Sequence, residues 1–117
     1  MRKALSLVLL LAACSLGTDT TDNSSPQVGI QAPLPNAVVG GQVNIQVAAL
    51  DDFGVDEVRI LIDGQELARL YTAPFVASWP TVQLTDGSSH VIRAEARDVA
   101  GNVGIHSITV TVQNGPL

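Results

Sequence analysis

Hydrophobic and polar residues alternate one by one along most of the chain after residue 27. Val43, Ile45 and Val47 fall on one side of an extended chain, and Asn44 and Gln46 fall on the other. The same period of two occurs in three later segments, VRILID (58–63), VIRAEAR (91–97) and SITVTV (107–112). This period is typical of antiparallel strands with one buried and one exposed face. No segment after the opening of the chain has a comparable helical period, so the sequence predicts an all-β protein.

Turn-forming pairs separate the alternating segments. Asp63-Gly64 stands between two of them and is a strong signal for a tight hairpin, and Asp86-Gly87 marks a further turn. The pattern predicts seven strands, at 28–32, 43–50, 55–62, 66–71, 75–79, 90–98 and 105–112. Strands of this number and spacing are typical of an immunoglobulin-like antiparallel β-sandwich. The predicted domain occupies residues 27–117.

The chain opens with MRKALSLVLLLAACSLG, a short basic stretch followed by about ten apolar residues. A helix of that length covers about 15 Å, half of the hydrocarbon core of a bilayer, so it is too short to span the membrane. A basic start, a short apolar run and small residues before a cleavage site instead indicate a secretory signal peptide at 1–13.

The segment LAAC, residues 11–14, resembles the lipobox of bacterial lipoproteins. The resemblance implies that Cys14 receives a diacylglycerol, that the signal peptide is removed before it, and that the new amino terminus is acylated, as by palmitate. Cys14 is the only cysteine, so it has no disulfide partner within the chain. The alternative is an ordinary signal peptide with an incidental cysteine. Ser15 stands where Asp would oppose sorting to an outer membrane, so we expect a lipid-anchored envelope protein. The anchor lies in the outer membrane if the organism has one, and otherwise in the outer face of the cell membrane.

Residues 15–26, SLGTDTTDNSSP, contain almost nothing that could be buried. Such a composition predicts a flexible linker, so lipidated Cys14 and the tether together occupy 14–26. About twelve residues of flexible coil give a mean reach of about 20 Å, which lifts a small domain clear of the lipid.

The remainder of the chain resembles the bacterial Ig-like domains that are appended to secreted hydrolases and surface proteins. The resemblance covers about 28–114 and rests on turn and core positions: Asp52, Gly54, Val55, Asp63, Gly64, Pro74, Phe75, Trp79, Asp86, Gly87, His90, Asp98, Ala100, Gly101 and Asn102. It implies a seven-stranded sandwich that acts as a spacer or binding module without catalysis. Pro80 departs from the small polar residue common after the tryptophan in this family.

Charge argues against nucleic acid as a partner. The whole chain has six basic and eleven acidic residues, and a chain that begins at Cys14 keeps four arginines against eleven carboxylates, a net charge of −7. Nucleic-acid binding relies on Lys and Arg to neutralise phosphates, so an acidic surface of this kind repels it.

The residues that could carry catalysis are few. His90 and His106 are the only histidines, and no Gly-x-Ser-x-Gly elbow accompanies them. We expect His90 to be an exposed residue next to a turn, and His106 to be partly buried at the sandwich end or displaced by a bulge. The acidic pairs Asp51-Asp52 and Asp56-Glu57 lack the substrate cleft that glycosidase chemistry needs. The sequence therefore predicts that the protein is not an enzyme.

Aromatic residues bear on glycan binding, because exposed rings can serve as sugar platforms. Phe75 and Trp79 share one face of a strand, and with so few aromatic residues in the chain we expect them to be core. Tyr71, near a strand end, is the better candidate for exposure.

The most chemically suggestive cluster is acidic. In an Ig-type sandwich, the loop after the second strand and the loop between the last two strands lie at the same pole. Together they carry oxygen ligands of the kind Ca²⁺ prefers, namely Asp51, Asp52, Asp56, Asp98 and Asn102. The alternative is that these side chains cap their own turns. No other cofactor is expected.

These observations favour a non-catalytic envelope lipoprotein. Its Ig-like domain would serve as a structural, adhesive or protein-binding module whose partner is an envelope or extracellular component. The alternative is a glycan-binding accessory module, assisted by calcium.

Overall fold

The computed structural model describes residues 24–116, so the predictions for the signal peptide, Cys14 and most of the tether lie outside the described part. Residues 24–116 contain eight strands and no helix. In chain order the strands are β1 Gln27–Ala32, β2 Val38–Val39, β3 Gln42–Leu50, β4 Val55–Ile62, β5 Gln65–Leu70, β6 Phe75–Pro80, β7 Ser89–Asp98 and β8 Val103–Val112. Since the described part is all strand and loop, it offers no helix that could cross a membrane.

The strands form two sheets. The three-stranded sheet has the order β1-β3-β6, and the five-stranded sheet has the order β2-β8-β7-β4-β5. All pairings are antiparallel except that of β2 with β8. The predicted Ig-like β-sandwich is confirmed, and each predicted strand is present with ends that differ by at most two residues.

One strand was not predicted. Val38 and Val39 pair in parallel with Thr111 and Val112, so the sandwich has eight strands instead of seven. A two-residue strand between turn-forming segments is too short to show a period, which is why the alternation does not predict it.

The core lies between the sheets and consists of the residues that the alternation places on the inner faces. Ile45 of β3 belongs to the same core cluster as Ile60, Ile92 and Val110 of the opposite sheet, and all four are fully buried. Burying an aliphatic side chain of this kind stabilises the fold by roughly 1.5–3 kcal/mol. The hydrophobic burial thus follows directly from the period of two.

The β4–β5 turn is built from Asp63 and Gly64, both with positive φ, at 51° and 86°. Two consecutive residues in this region define the type of two-residue hairpin that Asp-Gly favours, because glycine enters it without strain. The hairpin fixes the position of the Asp63 side chain, which is important for the site described next.

Candidate functional site

An open cleft of about 460 Å³ lies where the edge strand β5 faces the edge strand β6. Its apolar part comes from both sheets and the β6–β7 loop, and its polar part comes from the β4–β5 hairpin and the start of β7. The lining residues are Ile62, Leu67, Trp79 and Leu84, with Asp63, Gln65, Glu66 and His90. An apolar floor with a few polar groups at the rim is the usual character of a binding depression.

A chain of hydrogen bonds runs along one side of the cleft. The Oδ2 atom of Asp63 lies 2.6 Å from Nδ1 of His90, and the Nε2 atom of His90 lies 2.7 Å from the Oγ atom of Ser88. The other carboxylate oxygen of Asp63 accepts the backbone N–H of Val91 at 2.8 Å. With Asp63 as the acceptor, His90 donates from Nδ1, and in a neutral ring Nε2 would then accept the Ser88 hydroxyl.

The pKa of Asp63 is lowered from its ordinary value. Partial burial raises it, but the Val91 N–H donor and the neighbouring His90 together outweigh that effect. Asp63 is therefore ionised at neutral pH and able to orient the imidazole.

The order Ser88–His90–Asp63 is that of a nucleophilic triad, but two further requirements are not met here. Ser88 is not among the residues that line the cleft. The amide N–H groups of Gly87 and Ser88, which are closest to the hydroxyl, already donate to the carbonyls of Val112 and Thr85. Stabilisation of an oxyanion needs donors aimed at a reacting atom, and these two are used within the fold. The hydrogen bonds of Asp63, His90 and Ser88 instead connect the β4–β5 turn to the start of β7.

The expectation of an exposed His90 was wrong. His106 is partly buried as expected, but it lies opposite Ala94 in the middle of the strand pair and not at the end of the sandwich. The His90 side chain is only 13% exposed, because Asp63 and Ser88 hold it and its ring meets Trp79 edge-on with centroids 5.7 Å apart. His106 is half-buried on an unbroken register with β7, and its Nδ1 atom accepts the Ile30 N–H at 3.0 Å. Sequence reasoning missed Asp63 and Ser88, for which the only available signal was their turn position.

The aromatic residues behave as predicted. Trp79 and Phe75 are 5% and 7% exposed and belong to the core, whereas Tyr71 is 62% exposed. With so little of either side chain exposed, neither Trp79 nor Phe75 offers an open face for a sugar.

The acidic residues proposed for calcium lie at the opposite pole from the cleft. The two loops meet there as expected, since Val55 is opposite Asp98. Asp98 is 1% exposed and accepts the N–H of Asn102 at 2.8 Å and its side-chain amide at 3.0 Å. Asp51 accepts the Phe53 N–H at 3.0 Å, Asp56 lies within β4 and pairs with Arg97, and Asp52 is exposed.

Across residues 24–116, no three His, Cys, Asp or Glu side chains converge in a way that could hold a metal ion. Asp51 and Asp98 act as turn caps, which was the stated alternative. Calcium binding at Asp51, Asp52, Asp56, Asp98 and Asn102 stays a prediction.

The outer face of the five-stranded sheet carries an ion-pair network. Glu66 and Glu95 each bind two arginines, and the half-buried Arg59 joins the two carboxylates at 2.9 and 3.0 Å. Hydrogen bonds from Arg69 and Arg59 lower the pKa of Glu66, and Glu66 in turn raises the pKa of Arg69. The outward arginines of these strands are therefore paired with neighbouring acids.

A family model described as a bacterial Ig domain matches residues 26–110, which is most of the chain. The chain belongs to this family. Bacterial Ig domains of this type are typically non-catalytic modules, and no catalytic family is indicated. Among curated proteins, none matches the chain significantly.

Solved structures agree with the family. The fibronectin(III)-like modules of Clostridium thermocellum CbhA are 26% identical, with a TM-score of 0.66 over 77% of this chain and 100% of theirs. The endo-beta-1,4-mannanase from Thermotoga petrophila is 14% identical, with a TM-score of 0.64 over 80% of this chain and 21% of the mannanase.

A third similar structure is Bacteroides ovatus SGBP-B in complex with a mixed-linkage heptasaccharide. It is 18% identical, with a TM-score of 0.56 over 82% of this chain and 26% of that protein. At these identities the mannanase and SGBP-B share the fold with this bacterial Ig domain, and the fold alone does not carry a function with it.

Proposed function

We propose that the protein is a non-catalytic lipoprotein of the bacterial cell envelope, whose Ig domain binds another envelope or extracellular protein. The observation that carries the proposal is the division of the chain: the Ig domain match begins at residue 26, and the residues before it include LAAC after a short apolar run. An acylated Cys14 would anchor the domain, and the tether would hold it off the lipid. Two acyl chains or more give stable anchoring, whereas one gives marginal binding.

Protein binding is the role that the surface supports best. The cleft beside β5 and β6 is open and apolar at its floor, and the sheet edges beside it present backbone groups. A glycan-binding role is less well supported, because Trp79 and Phe75 are both buried and Tyr71 alone is a weak platform.

The anchor is tested by expressing the full chain in a bacterium with lipoprotein-processing enzymes. We expect the wild-type chain in the membrane fraction, with the N-terminal peptide of the mature protein carrying the mass of a diacylglycerol and an acyl group on Cys14. The variant Cys14→Ser should move to the soluble fraction. An unmodified Cys14, or a Cys14→Ser chain that stays with the membrane, would refute the anchor.

The binding role is tested by crosslinking in native envelopes followed by recovery of the protein, with and without a calcium chelator. One enriched protein partner supports the proposal. Recovery of polysaccharide alone would favour the glycan-binding alternative, and loss of the partner with chelator would implicate the acidic residues at the opposite pole.

A further inference from the structure

A β-sandwich has four sheet edges, and an edge strand presents unpaired backbone N–H and C=O groups to solvent. In this protein the edges are β1 and β6 in one sheet and β2 and β5 in the other. Proteins commonly protect such edges by covering them, shortening them, charging them or bending them with a bulge. The four edges differ in how far this is done.

The edge at β1 is covered by β8. The backbone N–H of Ile30 donates to Nδ1 of His106 at 3.0 Å. The carbonyl of Pro26 lies so close to Gly104 that a Cβ atom would not fit between them. No further strand can therefore pair along β1 without displacing β8.

The edges at β2 and β5 are protected in other ways. β2 has two residues. In β5 the register shifts between Ala68 and Glu66, so Leu67 forms a bulge and is turned toward the cleft. β5 also carries the charged residues Glu66 and Arg69, which discourage pairing with another strand.

The edge at β6 has none of these devices along most of its length. Its sequence is FVASWP, without a charged residue, and its pairing with β3 is regular. Among the four edges of the described domain, β6 is the one that is left accessible and uncharged.

The backbone groups on the free side of β6 can be assigned. The N–H of Thr81 donates to the carbonyl of Gly41, and hydrogen-bonded pairs alternate along an antiparallel ladder. Trp79, Ala77 and Phe75 therefore bond to β3, and the N–H and C=O groups of Val76 and Ser78 point to the free side. Pro80 has the same parity, so its missing N–H costs no bond within the sheet.

Depressions lie at both ends of β6. The cleft that contains Trp79 is on the side facing the other sheet, and a second depression of about 300 Å³ includes Val76 and exposed residues of β3 on the outer face. A strand added to β6 would direct alternate side chains to these two sides.

The charge of the residues around the cleft indicates which kind of partner could pair with β6. Within residues 24–116, Asp63 and Glu66 are the only carboxylates that line the cleft, and no Lys or Arg lines it. The chain as a whole has a net charge of −5, so a second copy would meet a surface of its own sign. Glu66 is already paired with Arg59 and Arg69, so the half-exposed carboxylate of Asp63 is the group at the rim that would attract a basic segment.

We propose that β6 is an acceptor strand for an extended segment of a partner protein in which apolar residues alternate with basic ones. The proposal rests on the protein-binding role given above and names the strand and the partner chemistry. The partner's backbone would pair with Val76 and Ser78. Residues opposite these two share their face of the sheet, so the partner's apolar side chains would lie over the depression that includes Val76. Its alternate basic side chains would reach over the cleft toward Asp63.

The first test uses a synthetic seven-residue peptide of alternating lysine and valine with blocked termini, added to the purified full chain. Trp79 is the only tryptophan and lines the cleft, so its emission reports occupancy. We expect a saturable change in emission. An analogue with N-methylated valines, which cannot donate backbone hydrogen bonds, should bind at least tenfold more weakly, and a glutamate–valine peptide should not bind.

The protein variants are Ser78→Pro, which removes an outward N–H, and Ser78→Ala, which keeps that N–H and removes only the hydroxyl bonded to Gln42. We expect Ser78→Pro to weaken binding at least tenfold and Ser78→Ala to leave it unchanged, with both variants folded as judged by Trp79 emission and melting.

Should Ser78→Pro fail to fold, the N-methylated peptide alone decides the outcome. Equal binding of the methylated peptide, or of the glutamate–valine peptide, would overturn the proposal. So would a dimer of the free chain that is lost in Ser78→Pro, because a second copy would then occupy β6.

The two proposals can fail separately. If native envelopes yield a protein partner that Ser78→Pro retains as well as the wild type does, the binding role stands and the assignment to β6 is wrong. If the wild type captures no protein, the binding role itself is refuted.

Discussion

The carboxylate of Asp63 and the imidazole of His90 meet at 2.6 Å, although Asp63 belongs to the β4–β5 turn and His90 to the start of β7, the strand that neighbours β4 in the sheet. Asp63 holds its backbone in a positive-φ conformation and uses both carboxylate oxygens, one on His90 and one on the Val91 N–H. The contact therefore joins the β4–β5 turn to β7 and defines one wall of the cleft.

Replacement of Asp63 by Asn should destabilise the protein in a pH-dependent way. The folded-state pKa of Asp63 is lowered, so its stabilising contribution is complete above the unfolded-state pKa of about 3.9 and is lost as the pH falls through the folded value. For a side chain that is 48% exposed we expect Asp63→Asn to cost about 0.5–1 kcal/mol at pH 7 and clearly less at about pH 2.5. Urea unfolding followed by Trp79 emission measures both values.

The matched control for this prediction is Asp52→Asn, which removes one negative charge from an exposed turn at the other pole. Asn tolerates positive φ, so Asp63→Asn keeps the turn. A cost for Asp63→Asn that is equal at the two pH values would show that its charge is not what stabilises the contact.

A methyl group at Gly104 should destabilise the fold, whereas one at Gly29 should not. A Cβ atom on Gly104 would overlap the backbone carbonyl of Pro26, while a Cβ on Gly29 would have no atom within 4 Å. We expect Gly104→Ala to cost about 1–3 kcal/mol through overpacking. Gly29→Ala should be neutral or stabilising by up to about 1 kcal/mol, since alanine loses less backbone entropy in a strand. Equal unfolding midpoints for the two variants would mean that β8 does not close over β1.

Glu57 should couple two arginines energetically. It is 6% exposed on the outer face of the sheet, with Arg97 at 3.3 Å and Arg69 at 3.6 Å. Because either arginine alone leaves a partner for the buried carboxylate, Arg69→Gln and Arg97→Gln should each cost less than about 1 kcal/mol, and the double variant should cost about 1 kcal/mol more than their sum.

The control for this coupling is the pair Arg93→Gln and Arg97→Gln, since Arg93 binds Glu95 instead of Glu57. These two changes should add within about 0.5 kcal/mol. Additivity in the Arg69 and Arg97 pair as well would show that Glu57 does not depend on either arginine.

Much of the fold could be predicted because a strand with one buried and one exposed face requires apolar and polar residues to alternate along the sequence. Ile45, Ile60, Ile92 and Val110 were placed on inner faces by alternation alone, and each is fully buried. Burial of Trp79 and exposure of Tyr71 also followed from composition and position.

The features of the site could not be predicted in this way, because they depend on which strands are neighbours. Asp63 and His90 are 27 positions apart, and nothing in the period of either segment indicates that their side chains meet. Glu57 is paired with arginines from β5 and β7, and nothing in the period of its own segment indicates that these two strands flank it. Likewise, the free edge of β6 is a property of strand order, which a list of strands does not contain.

The most direct test of the account places a photoreactive benzophenone amino acid at one surface position and irradiates native envelopes that contain the full chain. Val76 on the β6 edge and Val91 within the five-stranded sheet are both 42% exposed, so they form a matched pair of positions. The account predicts a crosslinked partner protein from position 76 and none from position 91. Equal crosslinking from both positions, crosslinking from 91 alone, or no adduct from 76 would contradict it.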